Sequence, residues 1–229
     1  MPIVAGVDSC PAGWLAVVVT FFEEVIQEEF HLLGRFQELF QLGVPVSYVA
    51  VDIPVGLLDQ VTEGGRQCDR LARKLLGRPR SSSIFSPPAR QALGCRSFDE
   101  ARRHGLNRQS FGILDKVREL DDIMTGDLQT RIREAHPEVC FFAMAGLSSA
   151  RSGKKKTEGR QERVALLQGH FFQVAEGLAR FPASKAAPDD ILDAYACAWT
   201  AMRLFRGEAA CLPEEPPLDS RGLHMGIWY

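Results

Sequence analysis

Acidic side chains follow apolar stretches at well-separated places in this sequence. Asp8 ends the apolar run 3–7, and Asp52 ends the run 49–51. Both runs are rich in β-branched and small residues, which predicts two buried strands. Asp190 and Asp193 open an apolar helical pattern and are three residues apart, so they are predicted to share one face of a helix. We expect these four carboxylates to converge on one site.

A cluster of this kind favours a divalent cation. Carboxylates within about 4–5 Å of one another repel strongly unless a divalent cation lies between them. Their hard oxygen ligands select Mg²⁺ or Mn²⁺ over zinc. Two such ions, roughly 3.5–4 Å apart, can activate a water and stabilise the leaving oxygen in phosphodiester hydrolysis. The pattern therefore predicts a two-metal site with Mg²⁺ or Mn²⁺ as cofactor.

A further acidic stretch contains His136 and Glu138. Residues 131–142 are predicted to form a strand, in which Glu134, His136 and Glu138 share one face by alternation. Glu138 is then a candidate to complete the carboxylate cluster. His136 is a candidate general acid or base, or a partner that holds Glu138; a partly buried histidine with satisfied hydrogen bonds is an equally good interpretation.

Two segments are basic, although the formal net charge of the chain is only −2. Residues 66–108 contain 11 Lys or Arg against 3 Asp or Glu, and residues 151–163 contain 6 against 2. These segments indicate an anionic ligand, with solvated helix faces as the alternative. Forked arginine donors suit phosphate, whereas Arg66, Asp69 and Arg73 on one helix face could also be an ion-pair ladder. The candidate substrate-binding residues are Arg66, Arg73, Arg90, Lys155, Lys156, Arg160 and Arg163.

The elements that position these residues follow the order β-β-β-α-β. Strands are predicted at residues 2–8, 13–22 and 25–33, then a short helix at 34–42 and a buried, parallel-type strand at 46–52. Residues from about 62 to 126 read as a basic helical insert with no strand pattern, within a single domain spanning 1–229. Later helices are predicted at 157–169, 171–181 and 189–205, the last with Asp189 as its N-cap.

This arrangement resembles the ribonuclease H-like superfamily. The resemblance lies in Asp at the ends of strands one and four, and in a late helix opened by Asp190-Ile-Leu-Asp193-Ala-Tyr-Ala196, which is similar to the closing motif of Holliday-junction resolvases. The whole chain resembles more closely a family of predicted ribonuclease H-like nucleases (domain of unknown function four-two-nine). The matching stretches are Gly6-Val-Asp-Ser-Cys-Pro-Ala-Gly-Trp14, Asp52-Ile-Pro-Val-Gly56, Arg66-x-Cys-Asp-x-x-Ala-Arg73, Ser83-Ile-Phe, His136-Pro-Glu138, the Lys-rich stretch before Gly159-Arg160, and Asp189-Asp190.

The resemblance implies an α/β, ribonuclease H-like mixed sheet: three antiparallel strands, then parallel strands, flanked by helices, with a helical insert after strand four. It also implies metal ligation by Asp8, Asp52, Asp190 and Asp193 and hydrolysis of phosphodiester bonds in a nucleic acid or nucleotide. Ribonuclease H proper takes an acid from its first helix, where this chain offers only Glu38, so Glu138 is a candidate replacement.

Other function classes stay open at this point. One is a non-catalytic nucleotide- or nucleic-acid-binding module that kept the fold. Another is a hydrolase of a small phosphorylated metabolite. Actin-like ATPases and sugar kinases share the sheet order, but they need two such domains and a glycine-rich phosphate loop, which Ser9-Cys-Pro-Ala matches poorly.

The cysteine pattern and the hydropathy indicate the cellular compartment in which the protein is expected. Six scattered cysteines without a C-x-x-C pair argue against zinc and against a disulfide framework, and fit a reducing cytoplasm. No cleavable leader pattern is seen, and no apolar run reaches the roughly 20 residues that span a bilayer. We expect a soluble cytoplasmic protein that has no membrane segment. DNA or RNA as substrate and the oligomeric state are not decided by the sequence.

Overall fold

A computed structural model describes residues 1–147 and 157–229 and shows an α/β protein built on a mixed sheet. Three antiparallel strands come first: β1 (Ile3–Cys10), β2 (Gly13–Phe21) and β3 (Val25–Leu33). A 3₁₀ helix over Phe36–Gln41 leads to β4 (Tyr48–Val51), which pairs in parallel with β1. With β5 (Ile132–Glu134), the five strands lie in the order β3-β2-β1-β4-β5.

This topology confirms the predicted mixed sheet, in which antiparallel strands are followed by parallel ones and a helical segment follows β4. The short hairpin connections between β1, β2 and β3 explain why these strands are antiparallel neighbours. The parallel β1–β4 pair instead requires a crossover, which the 3₁₀ helix and its flanking loops provide.

The chain divides into two compact units. The first contains residues 1–52, 135–209 and Tyr229, and the second contains residues 53–134 and 210–228. The insert predicted at about 62–126 belongs to the second unit, where all of its regular elements are helical. The interpretation of residues 1–229 as a single domain stays a prediction.

The second unit carries short elements. Its helices are α1 (Gln67–Leu76), α2 (Phe98–Arg103), α3 (Arg108–Gly112), α4 (Leu114–Ile123) and α5 (Gly126–Gln129), with 3₁₀ turns over Arg80–Ser83 and Arg90–Ala92. The strands β6 (Cys211–Leu212) and β7 (Ile227–Trp228) form a two-stranded antiparallel ladder. Ser97 caps α2, since its hydroxyl accepts a hydrogen bond from the backbone N–H of Glu100 at 3.3 Å.

The first unit holds the main core. Its helices are α6 (Pro137–Met144), α7 (Thr157–Gln168), α8 (Val174–Arg180) and α9 (Pro188–Arg206). All residues from 191 to 202 on α9 are buried, as expected for a helix that is apolar on every side. The core joins these residues to the apolar face of β1, β2 and β4, including Val4, Val17 and Ala50.

The prediction of a strand over residues 131–142 is wrong beyond Glu134. The strand β5 stops there, and α6 begins with Pro137 at its first position. Proline suits that position because its missing N–H would have no partner inside the helix and its φ is already helical. His136 precedes the helix, and its Nδ1 accepts the N–H of Glu138 at 3.3 Å. Glu134, His136 and Glu138 therefore do not share a strand face.

One predicted helix boundary also differs. The helix predicted at 189–205 starts at Pro188, so Asp189 lies inside its first turn and is not its N-cap.

Two further observations concern the described residues alone. None of their helices combines the length and apolarity that crossing a membrane requires. No disulfide joins any of the six cysteines, all of which lie in the described ranges.

Candidate metal centre

The parallel pairing of β1 and β4 brings Asp8 and Asp52 to the same level of the sheet. Gly6 and Ala50 are partners across the two strands, so alternation places Asp8 and Asp52 on the same face two residues later. The backbone N–H of Asp52 donates a 2.9 Å hydrogen bond to the carbonyl of Val7, which continues the ladder past the end of β4. Both carboxylates therefore extend from neighbouring strands at the same level, Asp8 from within β1 and Asp52 from directly after β4.

Helix α9 lies directly on β1 at a glycine. A Cβ built on Gly6 would lie 2.1 Å from the carbonyl oxygen of Ala194 and 2.0 Å from the backbone nitrogen of Ala198. No side chain fits there, so the backbone of the helix contacts the strand. Asp193 immediately precedes this contact. The glycine in β1 thus allows the helix to bring Asp193 to the acids of the sheet.

The three aspartates form a compact cluster. Asp8, Asp52 and Asp193 each offer a carboxylate oxygen, and these atoms all lie within 4.8 Å of one another. Asp8 is 6% exposed and Asp193 is 5% exposed, while Asp52 is half-buried. Within the described residues, this is the group of acids, histidines or cysteines whose geometry could hold a metal ion.

The environment opposes charge on Asp8. Burial raises the pKa of its carboxyl well above the usual value for aspartate, and the charges of Asp52, Asp193 and Asp190 raise it further, in that order. The 2.6 Å hydrogen bond from the N–H of Ser9 lowers this pKa and does not offset the other effects. A bound cation would relieve both the desolvation and the mutual repulsion.

The residues present fit a hard divalent cation. Three carboxylates supply anionic oxygen ligands, which Mg²⁺ and Mn²⁺ prefer. The thiol of Cys140 lies near the acids and within 3.1 Å of the hydroxyl oxygen of Thr200. Burial raises the pKa of the Cys140 thiol to about 12, and its sulfur is not among the ligand atoms that lie within 4.8 Å of one another. The cluster could therefore hold a metal, although its oxygen ligands do not identify which ion.

Asp190 lies near the cluster and makes a local contact. Its Oδ2 accepts the backbone N–H of Ala187 at 2.8 Å, which satisfies a donor at the start of α9. Its charge contributes to the raised pKa of Asp8, but it is not a member of the group within 4.8 Å. A role for Asp190 as a fourth ligand stays a prediction.

Glu138 and Arg163, predicted for different roles, contact each other. The guanidinium Nη2 of Arg163 donates to Glu138 Oε1 at 2.5 Å, and both side chains are buried. Arg163 also donates to the carbonyl of Gly159 at 3.0 Å and lies over the ring of Phe141. Glu138 is not in the 4.8 Å group, and His136 is half-buried before α6. The catalytic roles predicted for Glu138 and His136 are not tested by this arrangement.

Three of the predicted substrate-binding arginines are engaged inside the second unit. Arg66 is 2% exposed, and its Nη2 lies 2.7 Å from Asp69 and 2.6 Å from Glu134. Arg73 donates to the backbone carbonyls of Ile84 and Gly64.

Arg90 is the third of these arginines. It forms ion pairs with Asp121 at 2.7 Å and Asp219 at 2.5 Å.

Of the remaining predicted cations, the structure describes Arg160 in the first unit. Arg160 is exposed and lies 3.6 Å from Asp189. Lys155 and Lys156 lie outside the described residues. Substrate binding by this set of cations stays a prediction.

The sequence analysis did not predict the close contact of Gly6 with α9 or the pairing of Glu134 with Arg66. The signal for Gly6 was available, because a glycine inside a strand often marks close approach of another backbone. Glu134 is 68 residues away from Arg66, and no local pattern links two residues so far apart.

The comparison with family models decides the relationship of the chain to known proteins. A model described as "Protein of unknown function (DUF429)" matches residues 6–218. The chain belongs to the DUF429 family. The matched span includes Asp8, Asp52 and Asp193, so the acid cluster lies within the part that defines membership. No curated protein and no solved structure matches the chain. The description of the DUF429 family names no activity, so the acid cluster is the feature of this protein that bears on its function.

Proposed function

We propose that this DUF429 protein is a divalent-metal-dependent hydrolase of phosphodiester bonds, a nuclease with a ribonuclease H-like fold. The observation that carries the proposal is the cluster of Asp8, Asp52 and Asp193, whose carboxylate oxygens lie within 4.8 Å of one another. Two of these acids are buried and Asp52 is half-buried, and each raises the free energy of the others in the charged form unless a cation lies between them.

The placement of the acids supports the ribonuclease H-like assignment. One acid belongs to the first strand, one follows the parallel neighbour of that strand, and one lies in the first turns of a late helix. This is the arrangement that the resemblance of the sequence implies. The strand order, with an antiparallel meander beside a parallel pair, agrees with it.

The chemistry follows from the charges of the site. Mg²⁺ or Mn²⁺, bound as a pair, would supply Lewis-acid stabilisation of a phosphodiester and of the leaving oxygen. Asp8, Asp52 and Asp193 would hold the ions, with Asp190 next to them on α9. Without a cation these carboxylates repel a phosphodiester anion, so binding of substrate at this site requires the metal.

The protein around the acids fixes their positions. Asp8 and Asp52 are on strands joined by backbone hydrogen bonds, and Asp193 is on a helix whose backbone contacts Gly6. Sites on rigid strands and helices keep their ligands within the small tolerance that metal-assisted hydrolysis needs.

Metal-dependent cleavage tests this proposal. The protein is stripped of metal with EDTA, and Mg²⁺ or Mn²⁺ is returned in the presence of end-labelled RNA or DNA strands or of bis(p-nitrophenyl) phosphate. We expect cleavage only with metal, and a loss of at least about 100-fold in kcat/KM for Asp8→Asn and for Asp193→Asn. Asp122→Asn, at an exposed position on α4, is the matched control and should retain wild-type cleavage.

Two results would contradict the proposal. Cleavage that survives both Asp8→Asn and Asp193→Asn would show that another site, or a contaminant, performs the hydrolysis. Absence of cleavage of every phosphodiester tested, while Mn²⁺ binds the cluster, would indicate a metal-dependent binding module instead of a hydrolase.

A further inference from the structure

The second unit presents an exposed surface that is rich in cations. We call the exposed basic side chains between residues 62 and 108 the basic surface. It has seven members, and the same stretch contains three exposed acids. The exposed side chains of this stretch therefore carry an excess of four positive charges, in a chain of formal net charge −2. The members are Arg70, Lys74, Arg78, Arg96, Arg102, Arg103 and Arg108, and the acids are Glu63, Asp99 and Glu100.

These cations differ from two arginines of the same unit that are held in ion pairs. Arg66 and Arg90 are neutralised by carboxylates within 2.7 Å. In the described part of the chain, by contrast, no member of the basic surface lies within 4.0 Å of a carboxylate oxygen. Arg70 donates to the backbone carbonyl of Gly65 at 2.5 Å, a contact that does not neutralise its charge. The positive charge of the surface is therefore available to an anionic ligand.

Two parts of the basic surface lie next to the same loop. A Cβ built on Gly105, at the turn after α2, would lie 3.3 Å from a methyl carbon of Val61. A Cβ built on Gly64 would lie 3.1 Å from Cδ of Arg70 on α1. The loop 61–65 therefore adjoins both α1 and the turn that follows Arg103. Cations from α1 and from the α2–α3 region flank this one loop.

One member of the surface is held in place by an aromatic ring. The guanidinium of Arg108 lies 4.5 Å from the ring centroid of Phe98, and Phe98 makes an edge contact with Phe111 at 5.6 Å. Both rings are half-buried. An arginine stacked on an aromatic ring loses less conformational freedom when it binds phosphate, and its planar donors can contact two phosphate oxygens together.

We propose that the basic surface binds the phosphodiester backbone of a nucleic-acid strand. The inference rests on the proposed function for its choice of nucleic acid among polyanions. The cations are spread over α1, α2, α3 and the segments between them, so a ligand must carry several separated anionic groups to contact many of them. A mononucleotide carries its phosphates at one point, whereas a strand offers one phosphate per nucleotide.

The test measures strand binding without cleavage. Fluorescence anisotropy of labelled twenty-nucleotide RNA and DNA strands is recorded in EDTA, over a range of salt concentrations, with the full chain. The surface variant is Lys74→Gln/Arg102→Gln/Arg103→Gln. The control variant, Arg35→Gln/Arg131→Gln/Arg180→Gln, removes the same number of exposed cations elsewhere.

The surface variant should bind at least about tenfold more weakly than the wild type at low salt, because three phosphate contacts are lost. The slope of log K against log salt should fall by about 2, since each contact with a single strand contributes roughly 0.7. The control variant should keep the wild-type slope. Separate RNA and DNA titrations show which strand the surface prefers.

Several results would overturn this inference. They are equal weakening by the surface and control variants, absence of strand binding by the wild type, displacement of the strand by a mononucleotide at matched phosphate concentration, or tighter binding to phosphatidylserine vesicles than to either strand.

A second measurement separates this inference from the proposed function. Calorimetric titration of Mn²⁺ into the surface variant should give the wild-type affinity, because its three substitutions leave Asp8, Asp52 and Asp193 in place. Metal binding at the acids without strand binding would remove the basic-surface inference and leave the hydrolase. Strand binding that depends on the basic surface, without metal binding at the acids, would contradict the hydrolase and leave the basic-surface inference.

Discussion

Gly6 in β1 lies directly beneath the backbone of Ala198 in α9. A Cβ at position 6 would come within 2.0 Å of the Ala198 nitrogen, a distance that no side chain tolerates. The contact sets the separation of the helix from the sheet, and it thereby sets the distance of Asp193 from Asp8. The position of Asp193 in the acid cluster therefore depends on the absence of a side chain at Gly6.

Substitution of Gly6 tests that dependence. Gly6→Ala forces α9 away from β1, and overpacking of this kind costs about 1–3 kcal/mol of the free energy of unfolding. We also expect weaker Mn²⁺ binding by the folded variant, because Asp193 moves with the helix. Urea denaturation and calorimetry measure the two effects.

A glycine elsewhere provides the control for this substitution. Gly112→Ala has nothing within 4 Å of the added methyl and lies in a helix, so it should be neutral or stabilising. A Gly6→Ala protein with wild-type stability and wild-type Mn²⁺ affinity would contradict this account of the contact.

The raised pKa of Asp8 predicts how stability depends on pH. A carboxyl whose pKa is higher in the folded than in the unfolded protein stabilises the fold fully below its unfolded value, near 3.9. That contribution is lost as the pH rises through the folded value. In EDTA near neutral pH, Asp8→Asn should therefore be more stable than the wild type, because it removes the charge that burial and the neighbouring acids disfavour.

Added Mn²⁺ should reverse this order, since only the wild type gains the binding energy of the intact cluster. Thermal or urea unfolding of both proteins from about pH 4 to 8 measures the difference. A difference that does not change with pH, or a wild type that is the more stable protein in EDTA, would show that Asp8 is not destabilised by its surroundings.

The buried pair Arg163–Glu138 distinguishes a structural role from a ligand role for Glu138. Glu138→Gln leaves the guanidinium of Arg163 without its charged partner, and an uncompensated buried charge costs about 3–5 kcal/mol. The double variant Glu138→Gln/Arg163→Met should recover part of this loss. If Glu138 only pairs with Arg163, the folded Glu138→Gln protein should bind Mn²⁺ as the wild type does. Loss of Mn²⁺ binding with unchanged stability would instead make Glu138 a ligand.

Arg66 offers the same distinction in the second unit. Its guanidinium contacts Asp69 and Glu134 and also donates to the carbonyl of Gly56 at 3.0 Å. Arg66→Lys cannot reproduce these forked contacts, so we expect a loss of about 2–4 kcal/mol in the free energy of unfolding. Strand binding by the folded protein should be unchanged. Weaker strand binding without a change in stability would restore the phosphate clamp predicted from the helix face.

The sequence predicts the sheet and the acids of its strands for a clear physical reason. The runs before Asp8 and Asp52 are short, apolar and β-branched, and parallel strand ends meet at one edge. Residues 139–142 are equally apolar, and such short runs fit a buried helix as well as a strand. Pro137 was the local evidence for the helix.

The sequence did not show which of several residues on one helix face would join the acid cluster and which would make other contacts. Asp190 and Asp193 are both near the start of α9, yet the first accepts a backbone N–H and the second joins the cluster. Helical periodicity predicted which face of the helix carries Arg66. It did not predict that Glu134, from a distant part of the chain, would pair with the guanidinium of Arg66. These outcomes depend on tertiary packing, which spacing along the chain does not contain.

The most direct measurement is a calorimetric titration of Mn²⁺ into the metal-free protein. We expect binding in the micromolar-to-millimolar range, with a mononucleotide added where substrate oxygens are needed to complete the site. Asp8→Asn, Asp52→Asn and Asp193→Asn should each weaken binding by at least about tenfold, and Asp122→Asn should not change it. Absence of binding with and without the mononucleotide, or binding that the three substitutions leave intact, would contradict a metal centre at these aspartates.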